Sequence, residues 1–223
     1  KLSPGVGKRE EGSEFLDRWE TPDISPQNLA ARLVEAGNVL CMDSNDDDMT
    51  ALVFKVRPRR AINVMIGPPA DPKDDARVLK LFFAKEGSHI CCGSSTAHMK
   101  SRYLTKPINP EDDNGTEKVP AIATIEGMDL VTEGIITLQQ VADLAEQYVS
   151  DNRLSITINS GNDGVSLLCA YLFEQATDIN FFFGKAENTA NDDLDIGMDA
   201  KAIVINRLIS SLREMGKNVK ISR

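Results

Sequence analysis

The sequence predicts an α/β protein in which a mostly parallel, Rossmann-like sheet is flanked by helices. From Ala61 onward, short apolar stretches typical of buried strands alternate with longer stretches of helical period. Glycine or proline follows most of the apolar stretches, as expected where strands end in turns. Alternation of this kind favours parallel strands joined by helices that cover both faces of the sheet.

The first 57 residues differ in texture from the remainder of the chain. Ser25 and Pro26 are typical of a helix start, and Gly37 is a plausible end for that helix. Residues 50–56 are predicted to form a strand, and "RPRR" at 57–60 is a charged joint. We therefore predict one domain over residues 1–57 and a second, α/β domain over residues 58–223.

Two strand–helix pairs open the second domain. The apolar stretches "AINVMIG" and "SHICCG" predict strands at 61–67 and 88–93. Helices are predicted from Arg77 to Lys85 and over 94–104, and the second begins directly after Gly93.

The rest of the chain continues the alternation. Residues 121–134 are expected to form one extended stretch, and Thr137 with Gln140 predicts a capping box at a helix start. Later elements are predicted as helices over 165–176 and 200–215 and strands over 179–184 and 218–222. Two polar, acidic stretches, 109–118 and 186–197, are interpreted as loops or insertions.

Composition narrows the classes of function. The 223-residue chain has a net charge of -9 and a pI of about 4.8, which disfavours a nucleic-acid-binding or anionic-lipid-binding face. The sequence contains no apolar run long enough for a membrane span and no signal peptide. Its four cysteines include no CxxC pair, and adjacent Cys91 and Cys92 suggest buried strand thiols. A reducing cytoplasm is the simplest compartment.

Candidate ligand-binding residues follow the predicted strands. Gly67, the Gly93-Ser94-Ser95-Thr96 junction, Glu126 and Glu133 all lie where strands are expected to end. Free backbone N–H groups at the helix start after Gly93 could hold a phosphate or carboxylate. Simple capping by Ser94 or Ser95 explains the same residues. Glu126 and Glu133 are interpreted either as acid, base or cation ligands, or as ordinary turn acids.

The two histidines give no support to a catalytic triad. His98 is expected on the surface of a helix, and His89 before a strand is expected to be structural. No catalytic residue is assigned.

An acidic cluster, Asp46-Asp47-Asp48, precedes the predicted strand at 50–56. Hard divalent cations prefer such oxygen ligands, although a solvated turn is the alternative. The surrounding stretch, "NLAARLVEAGNVLCMDSNDDDMTALVFKV", resembles the last helix and strand of type 2C, metal-dependent protein phosphatases, in the branch that contains stage II sporulation protein E. "LSPGVG" near the start resembles a second metal-binding motif of that family, with Pro4 where the family has aspartate.

The resemblance implies a partial phosphatase-like α+β segment over residues 1–57. It implies that Asp47 binds Mn²⁺ or Mg²⁺, and that the parent protein hydrolyses a serine/threonine phosphoprotein in bacterial signalling. Residues 61–223 resemble an extension that follows the phosphatase domain in some members. We expect this chain to lack activity alone, because the family's earlier aspartates are not within it.

Two other functions stay open. The α/β domain is expected to be either a regulatory domain or a domain that binds an anionic small molecule. Alternatively the chain is a non-catalytic interaction module that forms a homodimer through the unpaired edge of an incomplete sheet.

Overall fold

The computed structural model describes residues 24–40, 49–110, 122–150, 161–184 and 198–222. The chain divides into two compact units, Lys1–Arg57 and Pro58–Arg223. The second unit is an α/β fold with a mixed, seven-stranded sheet flanked by helices. No helix in the described ranges is long and apolar enough to cross a membrane.

One helix, α1 (Pro26–Leu40), dominates the described part of the first unit. Its predicted start is confirmed, because the Ser25 hydroxyl oxygen accepts a hydrogen bond from the Asn28 backbone N–H at 3.1 Å. The predicted end at Gly37 is wrong, since the helix continues to Leu40. The Met49 side chain occupies the space of a Cβ at Gly37, with its sulfur 2.1 Å from that position, so the glycine serves close approach instead of helix termination.

The strand predicted at 50–56 does not form. Residues 49–60 contain neither helix nor strand, although Leu52, Phe54 and Val56 alternate as a strand would. All three side chains are exposed, at 77%, 85% and 101%. The described residues of this unit provide no neighbouring strand, and without a hydrogen-bonded partner the alternating pattern alone does not make a strand.

The sheet of the second unit has a parallel core and an antiparallel edge. In chain order its strands are β1 (Ala61–Ile66), β2 (Ser88–Cys92), β3 (Asn109–Pro110), β4 (Ile122–Thr124), β5 (Leu130–Thr132), β6 (Asp178–Phe183) and β7 (Asn218–Ser222). Their spatial order is β3-β4-β5-β2-β1-β6-β7. Strands β5, β2, β1, β6 and β7 run parallel, whereas β4 and β3 add antiparallel at one edge.

Five helices accompany these strands within the described ranges of the second unit. They are α2 (Asp75–Phe83), α3 (Ser94–Leu104), α4 (Ile135–Ser150), α5 (Gly164–Cys169) and α6 (Met198–Glu214). A 3₁₀ turn, Pro72–Asp74, precedes α2, and α5 continues into a π-helix, Ala170–Gln175.

Alternate side chains of β1 feed two separate apolar layers. Ile62, Val64 and Ile66 belong to the large core beneath α4, α5 and α6. Met65 points to the other face, where it joins Phe82 of α2 in a smaller core that also includes α3. Burial on both faces explains why β1 is an almost unbroken apolar run.

The stretch predicted as one extended segment, 121–134, is a hairpin. Strands β4 and β5 pair antiparallel, with Ile122 opposite Thr132, and residues 125–129 turn between them. Glycine at the turn makes the reversal possible, since Gly127 has a φ of 93°. The sheet is therefore mixed at this edge instead of continuing in parallel.

The capping box predicted at Thr137 is also wrong. Helix α4 begins at Ile135, which is buried against the core, so the helix starts three residues earlier than a cap at Thr137 would place it. Thr137 lies inside the first turn with its hydroxyl oxygen buried and unpaired among the described residues. The predicted helix at 165–176 exists, but its second half is π-helical, a register that a simple 3.6-residue period does not reveal.

Of the predicted loops, 109–118 begins with the two-residue strand β3, and its remaining residues lie outside the described ranges. The loop at 186–197 lies wholly outside them.

Candidate functional site

A cleft of about 150 Å³ lies at the carboxyl ends of the parallel strands. Parallel strands place their carboxyl ends at one edge of a sheet, so the segments after β1, β2, β5 and β6 meet there. The lining residues are 66–68, 92–96, 133–136, Leu138, 183–184 and Lys201.

Most of the predicted ligand-binding residues line this cleft. Gly67, Glu133 and the junction at 93–96 come together, although they are far apart in sequence. Glu126 does not join them. It lies in the β4–β5 turn, at the opposite end of β5, where its carboxylate pairs with Lys106 at 2.6 Å. The hairpin thus separates the two acids, Glu126 and Glu133, that were expected near neighbouring strand ends.

The start of α3 forms one wall of the cleft. Gly93 occupies the cap position with a φ of 111° and has no side chain to cap the helix. Ser94 and Ser95 lie in the first turn with exposed side chains, so capping by either serine is not what the structure shows. The first N–H groups of an α-helix lack intrahelical partners, and residues 94–96 at this helix start line the cleft.

Thr96 ties this wall to the first strand. Its side chain is 1% exposed, and its hydroxyl oxygen accepts a hydrogen bond from the Gly67 N–H at 2.9 Å. Gly67 follows β1 with a φ of 78°, a conformation that favours glycine. The bond fixes the β1 loop against the first turn of α3.

The start of α4 forms a second wall. The first intrahelical bond runs from the Leu138 N–H to the Gly134 carbonyl at 3.2 Å, which leaves the N–H groups of residues 135–137 without helical partners. Gly134 lies close to Gly93, where an added Cβ would be 3.4 Å from the Gly93 Cα. Two helix starts, each with the positive end of its dipole, therefore lie side by side.

Gly184 and Lys201 are two of the cleft residues that the sequence analysis did not single out. A Cβ on Gly184 would be 2.1 Å from the Pro68 carbonyl oxygen, so the loops after β6 and β1 touch. The sequence carried a signal for Gly184, because "INFFFG" repeats the strand-then-glycine pattern of Gly67 and Gly93. Lys201 adds a cation from the first turns of α6. No sequence pattern indicated Lys201.

The cysteines near the cleft are poor nucleophiles. Cys91 and Cys92 are buried strand thiols, as predicted. Burial raises the pKa of Cys91 to about 11 and the pKa of Cys92 to about 12, which keeps both thiols protonated at neutral pH. Cys41 lies outside the described residues.

A buried lysine, Lys100, lies one turn after Thr96 in α3. Its side chain is completely buried, and its Nζ is 3.8 Å from the centre of the Phe82 ring. The same nitrogen donates a long hydrogen bond of 3.4 Å to the Ile90 carbonyl. Burial lowers the pKa of Lys100 from 10.5 to about 8, because one carbonyl and one ring replace little of the ammonium's hydration. Sequence reasoning gave no role to this residue.

The histidines fit the structural interpretation. His98 is exposed on α3, as expected. His89 packs between Phe82 and Phe83, and its Nε2 lies 3.0 Å from the Phe82 carbonyl oxygen.

Asp47, the predicted metal ligand, lies outside the described residues, as does Pro4. Within the described ranges, no group of three or more His, Cys, Asp or Glu side chains is arranged to hold a metal ion.

Comparison with known proteins gave no relative: no family model, curated protein or solved structure matches this chain.

Proposed function

We propose that the second unit is a Rossmann-like domain that binds a small anionic ligand in the cleft at 66–68, 92–96 and 133–138. Numbered along the chain, its five parallel strands have the spatial order 3-2-1-4-5, with the order reversing between β1 and β6. Open α/β sheets bind ligands beyond the carboxyl ends of their strands, near such a reversal.

The observation that carries this proposal is the convergence of positive charge on one cleft. The uncapped start of α3, the start of α4 and Lys201 all line it. Each helix start contributes N–H donors and about half a positive charge, and the lysine contributes a full one. Among the described residues that line the cleft, Glu133, which is exposed, is the one carboxylate. This balance favours a phosphate or carboxylate group.

The size of the cleft bears on what part of the ligand is held. A volume of about 150 Å³ is below the range of about 300–1,000 Å³ usual for pockets that enclose whole drug-sized ligands. The cleft therefore suits the anionic head of a ligand, such as the phosphate of a phosphorylated metabolite or of a mononucleotide.

A thermal-shift screen with orthophosphate, phosphorylated metabolites and mononucleotides tests the proposal. A ligand at about 100 times its Kd stabilises the folded state by about 2.7 kcal/mol, which is readily measured. In Ser95→Glu a carboxylate enters the mouth of the cleft and should abolish the shift. The α3 helix itself tolerates an acid in its first turn.

Ser210→Glu is the matched control, because Ser210 is an exposed residue of α6 that does not line the cleft and lies more than two helical turns after Lys201. It adds the same charge and should keep the shift. A screen in which no anion raises the melting temperature would refute the proposal, and so would equal shifts in Ser95→Glu and the unmodified chain.

For the first unit we propose the phosphatase interpretation, supported by the Asp47-Asp48-Met49-Thr50 sequence alone. The parent protein would be a metal-dependent serine/threonine phosphatase with Asp47 as a ligand of Mn²⁺ or Mg²⁺, acting on a phosphoprotein. The test is Mn²⁺-dependent hydrolysis of p-nitrophenyl phosphate by the parent protein, which Asp47→Ala should remove. If the parent protein shows no turnover with metal, the second interpretation, a non-catalytic binding or dimerisation module, is favoured, and light scattering on this chain would show whether a dimer forms.

A further inference from the structure

Lys100 and the cleft belong to the same face of α3. Thr96 and Lys100 are four residues apart, so they are neighbours on the helix surface. Helical side chains lean toward the helix N-terminus, which is the end of α3 that lines the cleft. The Lys100 ammonium is completely shielded from solvent.

The depth of the ammonium follows from its contact with β2. Its Nζ bonds to the carbonyl of Ile90, and Ile90 is two residues before Cys92, which lines the cleft. Two residues of strand span about 7 Å. The Lys100 ammonium thus lies about 7 Å beneath the floor of the cleft. Buried protein, and not water, separates the two.

Little in its surroundings neutralises Lys100. The titratable groups facing it from β2 are the thiols of Cys91 and Cys92, which burial keeps neutral. From α2 it meets the ring of Phe82, which also makes an edge contact with the ring of His89. Within the described part of the chain, the ion pairs involve other lysines and arginines, and none includes Lys100.

We infer that Lys100 is a buried cation that strengthens anion binding in the cleft from beneath, without touching the anion. The inference rests on the proposed anion site. Two opposite unit charges about 10 Å apart, at an effective dielectric of about 20, attract strongly enough to change affinity on the order of tenfold. Lys100 acts on the anion through its charge and at a distance, whereas Lys201 lines the cleft itself.

The buried position makes this contribution dependent on pH. Because burial lowers the pKa of Lys100 to about 8, the ammonium is present near pH 7 and mostly lost near pH 9.5. Anion affinity should therefore fall as the pH rises through 8. By reciprocity, a bound anion should raise the pKa of Lys100 by about one unit, the equivalent of tenfold affinity.

The experiment measures sulfate binding by isothermal titration calorimetry on the full chain, at about pH 7 and about pH 9.5. Sulfate keeps its charge across this range, so a change in affinity reports the protein. The Kd of the unmodified chain should rise about tenfold between the two pH values. Lys100→Met should bind sulfate about tenfold more weakly at pH 7, with little further change at pH 9.5.

Lys80→Met is the matched control, since Lys80 is an exposed lysine on α2 and should leave the pH profile unchanged. If Lys100→Met does not fold, the ¹³Cε chemical shift of Lys100 in the unmodified chain decides, through its titration with and without sulfate. Equal sulfate affinity in Lys100→Met and the unmodified chain, or a Lys100 pKa unmoved by sulfate, overturns the inference alone. No sulfate binding by the unmodified chain at either pH overturns the proposed anion site, and the inference with it.

Discussion

Replacing Lys100 by methionine should stabilise the protein, although it removes a side chain with specific contacts. Methionine has a similar length and fits an apolar environment, whereas the ammonium is buried with one long hydrogen bond. The pKa of Lys100 falls from 10.5 to about 8 on folding. That difference corresponds to a penalty of about 3 kcal/mol when both the folded and the unfolded chain are protonated, as they are at pH 7.

The lowered pKa of Lys100 determines the pH range in which the free energy of unfolding changes. Between about pH 8 and 10.5 the unfolded chain binds the Lys100 proton and the folded chain does not, so the free energy of unfolding rises with pH in this interval. Cys91 and Cys92 act oppositely, because their raised pKa values make the folded state lose stability as their unfolded forms ionise. Both proteins contain these thiols, so their contribution to the free energy of unfolding cancels when Lys100→Met is compared with the unmodified chain.

Urea unfolding followed by circular dichroism measures this difference. Lys100→Met should be more stable by about 3 kcal/mol at pH 7, and the gain should shrink toward zero near pH 10.5. Lys80→Met, on the exposed face of α2, should change stability by less than about 0.5 kcal/mol at either pH. If Lys100→Met were less stable than the unmodified chain at pH 7, the contacts with Phe82 and Ile90 would outweigh desolvation, and the reasoning would be refuted.

Two further changes test the framework of the cleft, and a third tests the opposite end of the sheet, where β6 begins at Asp178. Gly184→Ala should lower the free energy of unfolding in urea by more than about 2 kcal/mol, because the added Cβ would be 2.1 Å from the Pro68 carbonyl oxygen. The control is Gly216→Ala, where the φ of 80° strains alanine but the space around the Cβ is open. It should cost only about 1 kcal/mol. Thr96→Val should cost about 1–3 kcal/mol by leaving the Gly67 N–H unpaired, and Thr96→Ser should retain most of the stability; equal losses would contradict the role of the hydroxyl. Hydrogen bonds from Arg59, Thr177 and Asn218 lower the pKa of Asp178. The ionised carboxylate therefore stabilises the fold above about pH 4, and this stability is lost as the pH falls. Asp178→Asn should make the free energy of unfolding less dependent on pH below about pH 4, and an unchanged dependence would show that these hydrogen bonds contribute nothing.

The parallel core was predictable because burial on both faces leaves a plain signal. Strands β1, β2 and β6 are short apolar runs followed by glycine, and the same pattern led to Gly67 and the junction at Gly93. Sequence reasoning could place these residues at strand ends, and parallel pairing then brought them to one edge of the sheet.

Other features depend on contacts that a single sequence does not encode locally. The three-residue strands β4 and β5 are too short for a periodic pattern, so their hairpin and the separation of Glu126 from Glu133 were not predicted. Residues 50–56 have the alternation of a strand but no partner among the described residues. Lys201 and Lys100 owe their positions to tertiary packing, because nothing in the neighbouring residues marks a lysine as lining a cleft or as buried.

At position 100, selection for stability and selection for anion binding favour different residues. A directed-evolution campaign for heat resistance would be expected to replace Lys100 early, because few single substitutions offer a gain of about 3 kcal/mol. The same replacement would weaken the proposed anion site. A lineage that must recognise its ligand would retain lysine there and accept a less stable fold, whereas a lineage freed from that demand would drift toward methionine or leucine.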